Sequence, residues 1–178
     1  MSVEAKLMTA DELLAMPDDG MKHELVEGAL LTMAPPGWDH GDIAAEIAMQ
    51  MRAFVKARRL GKVVVETGFI LKRDPDTVRG PDVSFVQTDR VVRTRKYYQG
   101  SPDIAVEVMS PDDRYSEVRE KVREYLQAGT SVVIVVDPAK QIAWSYTPEE
   151  RRLTIDDALT APGVLPGWEL PLRELFAD

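Results

Sequence analysis

The chain has no cysteine in its 178 residues. Disulfides and thiolate-built metal sites are therefore excluded, and a reducing, cytoplasmic setting is the expected one. No apolar run reaches the roughly 20 residues that a membrane-spanning helix needs. The opening stretch, residues 1–15, carries Glu4, Lys6, Asp11 and Glu12 and has no apolar core of signal-peptide length. A soluble protein without a membrane partner is expected. Also missing are a Gly-rich phosphate loop, a Gly-x-Ser-x-Gly elbow and any zinc-ligand spacing. There is no internal repeat, low-complexity tract or flexible linker, and the length suits one domain over residues 1–178.

Positive charge is in short supply overall: the formal net charge is −8. That balance speaks against nucleic acid until its distribution is considered. Residues 1–27 hold seven acids and two bases, and residues 149–178 hold seven acids and three bases. The middle of the chain is close to neutral, with 16 acids and 17 bases. Acids that bind divalent cations would shift it further, and acidic ends can lie away from a phosphate-binding face. A global charge does not decide a local contact.

What is present is a strongly patterned chain. Thr9-Ala10-Asp11-Glu12 has the form of a capping box, and Pro17 stops the short helix that follows. Leu25-Val26 and Leu30 to Met33 flank Glu27-Gly28 as a β-hairpin. Ile43, Ile47, Met51, Phe54 and Val55 predict a long helix from about Asp39 to Arg59, with Gly61 at its end. Residues 62–71 predict a strand or two, and Asp74-Pro75-Asp76 a turn. Val83 to Val86 is a strand entered through Pro81-Asp82, and Ile104 to Met109 a short apolar strand containing one acid. Such runs suit strands buried on both faces. A second helix spans about Ser116 to Ala128, with Gly129 just past it, and strands follow at Ser131 to Val136 and Ile142 to Tyr146. Leu170 to Phe176 closes the chain as an amphipathic segment. The order predicts a mixed α/β sheet with helices on its faces.

The acid inside the apolar run is the most informative residue. On a strand, Glu107 shares a face with Ala105 and Met109, while Ile104, Val106 and Val108 share the other. A carboxylate between apolar faces is costly unless it is paired or bound to metal. It is therefore either a salt-bridged strand-end acid or a functional group. Asp82 is a weak signal alone, because an aspartate before a strand is usually a turn residue. As a partner of Glu107 it becomes significant: two carboxylates from adjacent strands can chelate a hard cation such as Mg²⁺. Lys121 lies inside the apolar stripe formed by Val118, Val122 and Tyr125, where lysine is unusual. It is either half of a surface pair with Glu117 or an amine aimed at the two carboxylates, where it could orient water or offset transition-state charge.

Several further residues are candidates at a lower level. Glu24 could complete the metal site, although hairpin acids such as Glu24 and Glu27 commonly face water. His40 could contact phosphate or ligate metal, or be structural. Arg90, Arg93, Arg95 and Lys96, followed by Tyr97-Tyr98, could form a backbone and stacking contact to nucleic acid or a solvated loop.

Pro81-Asp82 followed by Glu107-Val108-Met109 resembles the core of the PD-(D/E)XK nuclease superfamily, in which a lysine normally follows the acid by two positions. Met109 occupies that slot here. The chain is similar to one branch of restriction-endonuclease-like proteins, catalogued as a domain of unknown function, whose lysine has migrated to the following helix. Lys121 matches it. His23 to Gly28, His40, Val106 to Pro111, Val133 to Pro138 and the tail Leu165-Pro166-Gly167-Trp168 with Leu175-Phe176 agree with the same branch.

The resemblance implies a restriction-endonuclease-like fold, with an N-terminal helix and hairpin beside a mixed sheet. It implies Mg²⁺ or Mn²⁺ held by Asp82, Glu107 and the main-chain carbonyl of Val108, with Glu24 as an accessory acid. It also implies a nuclease acting on nucleic acid, DNA being the expected partner, in a homodimer. The competing expectation is a catalytically silent module of the same fold that binds protein or nucleic acid.

Overall fold

The computed structural model describes residues 7–147 and 149–177; Glu4 and Lys6 of the opening stretch lie outside them. The first helix, α1 (Ala10–Leu14), carries both halves of the expected capping box. The Thr9 side chain accepts from Glu12 N–H, and Glu12 accepts from Thr9 N–H at 2.8 Å. The hairpin follows as β1 (Lys22–Val26) and β2 (Ala29–Met33). Next comes α2 (Trp38–Arg58), then β3 (Gly61–Val65), β4 (Phe69–Lys72), β5 (Thr77–Arg79), β6 (Val83–Gln87), β7 (Tyr98–Gln99) and β8 (Ile104–Val108). The second long helix is α3 (Tyr115–Gln127). It is followed by β9 (Val132–Asp137), β10 (Ile142–Thr147), β11 (Glu149–Leu153), β12 (Ala158–Ala161), β13 (Leu165–Pro171) and α4 (Leu172–Leu175).

Two main sheets result. One has the order β2-β1-β5-β4-β7, the other β11-β10-β9-β8-β6-β3, and β12 pairs with β13 separately. The stretch 62–71 is two strands, and they belong to different sheets. The closing segment divides into the end of β13 and the one-turn helix α4, because Leu170 pairs with Leu159 across a β-ladder before the chain can coil.

The alternation read in Ile104 to Met109 decides the layering. Ile104, Val106 and Val108 join Ile43, Ile47, Met51 and Val55 of α2 in the larger core. Ala105 and Met109 join Val118, Val122 and Tyr125 of α3 on the other face. With helices on both faces, β8 and its parallel neighbour β9 are buried at every position, as expected of such strands. Gly129 ends α3 with φ 99°, a conformation that disfavours side chains. Gly129 N–H donates to Leu126 O at 3.1 Å and Thr130 N–H to Tyr125 O at 3.0 Å. This is the double bond pattern of a Schellman stop.

Asp76 ties α1 to the smaller sheet. Its carboxylate accepts from Ala10 N–H at 2.7 Å and from Arg73 at 2.8 Å. Burial works against the charged form, but the Ala10 and Asp74 N–H groups and Arg73 outweigh it and hold the carboxyl below its usual range. A depressed carboxylate stabilises the fold above its unfolded pKa of about 4. That contribution is lost as pH falls through the folded value. Asp76→Asn should therefore lower Tm at neutral pH, and the gap to wild type should narrow as melts are taken from pH 7 to below about 4. A gap independent of pH would remove the carboxylate from this role.

Candidate active site

The chain segment Gly80-Pro81-Asp82 connects β5 of one sheet to β6 of the other. It therefore places Arg79 and Asp82 on opposite sides of the junction. β6 runs antiparallel to β8 with Val83 facing Val106. One step further along that register brings Asp82 beside Glu107. Asp82 Oδ2 accepts from Val108 N–H at 2.7 Å, which locks the aspartate to the strand carrying the second acid. Both carboxylates line a cleft of about 350 Å³, together with Lys22, His40, Glu66, Val108 and Lys121.

Each acid has its own set of partners. Asp82 Oδ1 accepts from Lys22 Nζ at 3.2 Å, and Oδ2 lies 3.1 Å from His40 Nε2. Burial opposes ionisation, but His40, Lys22 and the Val108 N–H prevail and hold the Asp82 carboxyl far below the usual range. Glu107 Oε1 accepts from the buried Tyr125 hydroxyl at 2.7 Å, and Oε2 from Lys121 Nζ at 3.1 Å. Here burial prevails, and the Asp82 and Glu24 carboxylates add to it against the pull of Lys121. The Glu107 carboxyl is pushed up. Two neighbouring acids driven in opposite directions are a pattern typical of functional sites.

Lys121 is 19% exposed and 3.9 Å from Glu24 Oε2, so it lies between two acids rather than in solvent. The Glu117 pairing is not what holds it. Burial favours the neutral amine, but Glu107 and Glu24 overcome this and raise its pKa. Glu24 itself is fully buried. Its Oε2 accepts from Arg79 Nη1 at 2.7 Å and its Oε1 from Gly80 N–H at 2.9 Å. It stands behind Lys121 and is not among the cleft-lining residues. Glu27 is exposed and pairs with Lys72 at 2.8 Å.

The structure thus brings Asp82, Glu107 and Lys121 to one cleft with the Val108 backbone beside them. It also brings in groups that periodicity does not single out. Lys22 reads as a hairpin lysine, yet its Nζ bridges Asp82 and Glu66, the latter at 2.9 Å. Tyr125 reads as part of an apolar stripe, yet its hydroxyl fixes Glu107. His40, whose role the sequence leaves open, contacts Asp82; burial lowers its pKa, but the Asp82 carboxylate raises it by more. The basic segment is partly occupied elsewhere: Arg90 pairs with Asp103 and donates to Ser101 O, and Lys96 pairs with Asp11.

Among the described residues, no three His, Asp or Glu side chains form a ready-made metal cluster. The oxygens that could hold a cation are those of the Asp82 and Glu107 carboxylates and, as the resemblance implies, the Val108 carbonyl. Hard oxygen donors of this kind suit Mg²⁺ or Mn²⁺, with water completing the shell. Asp82 and Glu107 stand side by side and buried at the cleft, an arrangement whose negative charge a cation would offset.

Two packed sheets with helices on both faces of the larger one, and paired acids at the junction, define a restriction-endonuclease-like α/β fold. The chain belongs to the Uma2 family, described as "Putative restriction endonuclease", whose pattern matches residues 10–173. A solved structure from Anabaena variabilis ATCC 29413, titled as a putative nuclease belonging to DUF820, superimposes with a TM-score of 0.84. The two are 24% identical, and the match covers 95% of this chain and 97% of that one. No curated protein matches the chain. Family and fold together support a nuclease. No helix among the described residues is long and apolar enough to cross a membrane.

Proposed function

We propose that the protein is a divalent-metal-dependent nuclease that hydrolyses phosphodiester bonds, with DNA as the nucleic acid, at the Asp82–Glu107–Lys121 cleft. The observation that carries this reading is the meeting of two buried acids and a half-buried amine, from the entry to β6, from β8 and from α3, in one solvent-reaching cavity. Asp82, Glu107 and the Val108 carbonyl would hold Mg²⁺ or Mn²⁺. The ion would supply Lewis acidity, activating water and stabilising charge on the phosphoryl oxygens.

The protein's own groups have distinct tasks. Lys121 keeps an ammonium beside Glu107, where it orients the attacking water and offsets charge that grows at the phosphorus. Tyr125 fixes one Glu107 oxygen, so the carboxylate presents a constant face. Glu24 and Arg79 set the position of Lys121 from behind. Lys22 and His40 place two further cationic donors at the cleft, where they can hold the substrate phosphate. A homodimer in the cytoplasm belongs to the same reading, and nothing in the chemistry of one cleft depends on it.

The alternative, a silent binding module, has one observation in its favour: both acids already hold amines, Lys22 on Asp82 and Lys121 on Glu107. Two measurements separate the readings. The wild-type chain should nick or linearise DNA in Mg²⁺ or Mn²⁺ and lose this in EDTA. Titration calorimetry should give a Mn²⁺ isotherm that Glu107→Gln weakens at least about tenfold, the lower end for disrupting a metal site. Absence of both cleavage and a Mn²⁺ isotherm would establish the silent module.

A further inference from the structure

A second and larger cavity, of about 570 Å³, shares Glu107, Val108 and Lys121 with the cleft and continues from them between the β1–β2 hairpin and α3. Its character differs from that of the cleft. Leu31, Met33, Met109 and Val118 supply apolar wall, whereas the exposed acids Glu117 and Glu120 stand on its α3 side. Its two cations are both occupied: Arg79 by Glu24 and Glu124, and Lys121 by Glu107. A phosphate would meet acids there and no free positive charge. Lys22 and His40, the cationic side chains that hold Asp82, line the cleft and not this cavity.

The division of charge matches the two halves of a nucleotide. With a metal ion on Asp82 and Glu107, as the nuclease reading has it, the cleft suits an anion. The larger cavity suits a flat, neutral, largely apolar group whose edge donates hydrogen bonds to carboxylates. Exocyclic amino groups of bases are such donors, and carboxylates accept from them. The volume lies within the range of small-molecule sites. We infer that the cavity beneath β2 receives the unpaired nucleobase adjoining the scissile phosphate, so that the substrate class is single-stranded or locally opened nucleic acid. This rests on the nuclease reading for the identity of the neighbouring phosphate. A stacked and paired base cannot enter such a pocket without leaving its duplex.

A single-stranded oligonucleotide carrying one 2-aminopurine provides the test, in Ca²⁺ and without turnover. Binding to the full chain should raise its fluorescence as the base leaves its stacked neighbours. The strand should bind about tenfold more tightly than a blunt duplex of the same sequence, the order expected for one base contact. Leu31→Glu, which places an acid against the base, should remove the fluorescence rise. Leu31→Trp, which fills the cavity without adding charge, should do the same; Leu31 is on a surface strand, and circular dichroism checks the fold of both variants. Oligo-dC should bind better than oligo-dT, which lacks an amino edge.

A fluorescence rise unchanged in both variants, or tighter binding of the duplex, would overturn the base pocket. Cleavage of DNA in Mg²⁺ without any fluorescence rise sinks the pocket and leaves the nuclease reading standing. A fluorescence rise without cleavage does the reverse.

Discussion

Asp82→Asn should reduce metal-dependent DNA cleavage to background, and Lys121→Met should reduce it by about 10²–10⁴-fold, the range for a positioned group acting on the proton or charge of the transition state. The two losses should have different causes. Asp82→Asn removes a hard anionic donor, so the Mn²⁺ isotherm should vanish with the activity. Lys121→Met removes an amine that holds Glu107 Oε2 at 3.1 Å and leaves both acids in place. Mn²⁺ affinity should then be kept or increased, because a competing cation has gone from a carboxylate cluster. Calorimetry beside a cleavage assay reads both quantities on the same preparation. If Lys121→Met cleaves as wild type does, the amine has no part in the chemistry; if Asp82→Asn retains its Mn²⁺ isotherm, the cation sits elsewhere.

Arg79→Met should destabilise the fold by about 3–5 kcal/mol, the cost of stranding a buried charge. For a chain of this length that corresponds to a drop in Tm on the order of 10 °C. Arg79 is 4% exposed and divides its guanidinium between two acids on different elements. Nη1 donates to Glu24 on β1, while Nε and Nη2 grip Glu124 on α3 at 2.6 and 3.0 Å. It thereby joins the smaller sheet to the helix that carries Lys121. Removing it leaves Glu24 in the interior with Gly80 N–H and an amine 3.9 Å away. Adding Glu24→Gln to Arg79→Met should recover a large part of the loss, because the stranded charge is then gone. Urea unfolding of the single and double variants measures this. A loss under about 1 kcal/mol in the single variant would mean that water or a neighbouring base compensates Glu24, contrary to its complete burial.

Much of the framework was legible in the chain. The capping box at Thr9, the period of Ile43, Ile47, Met51 and Val55, and the stop at Gly129 are local signals, and the structure has each where the pattern puts it. The alternation around Glu107 correctly divided that strand between two cores. The tail was legible only as an amphipathic segment, because Leu170 and Leu172 fit a helical stripe as well as a strand edge. The pairing with β12 that decides between them is not local. The hairpin acids illustrate the same limit. Glu24 and Glu27 look alike in sequence, yet one is buried against Arg79 and the other is exposed beside Lys72.

The sequence by itself determined which residues face which side of each strand and helix, because side-chain direction follows from backbone period alone. It therefore nominated Glu107 and Lys121 as polar groups on apolar faces. Only the tertiary structure decided what those groups meet. The β6–β8 register aligns Asp82 with Glu107, and the crossing from β5 to β6 carries Arg79 to one sheet and Asp82 to the other. The return of the hairpin over the junction brings Lys22 to Asp82. Contacts across 60 residues of chain depend on how sheets pack, and no periodicity within a window of the chain encodes that packing.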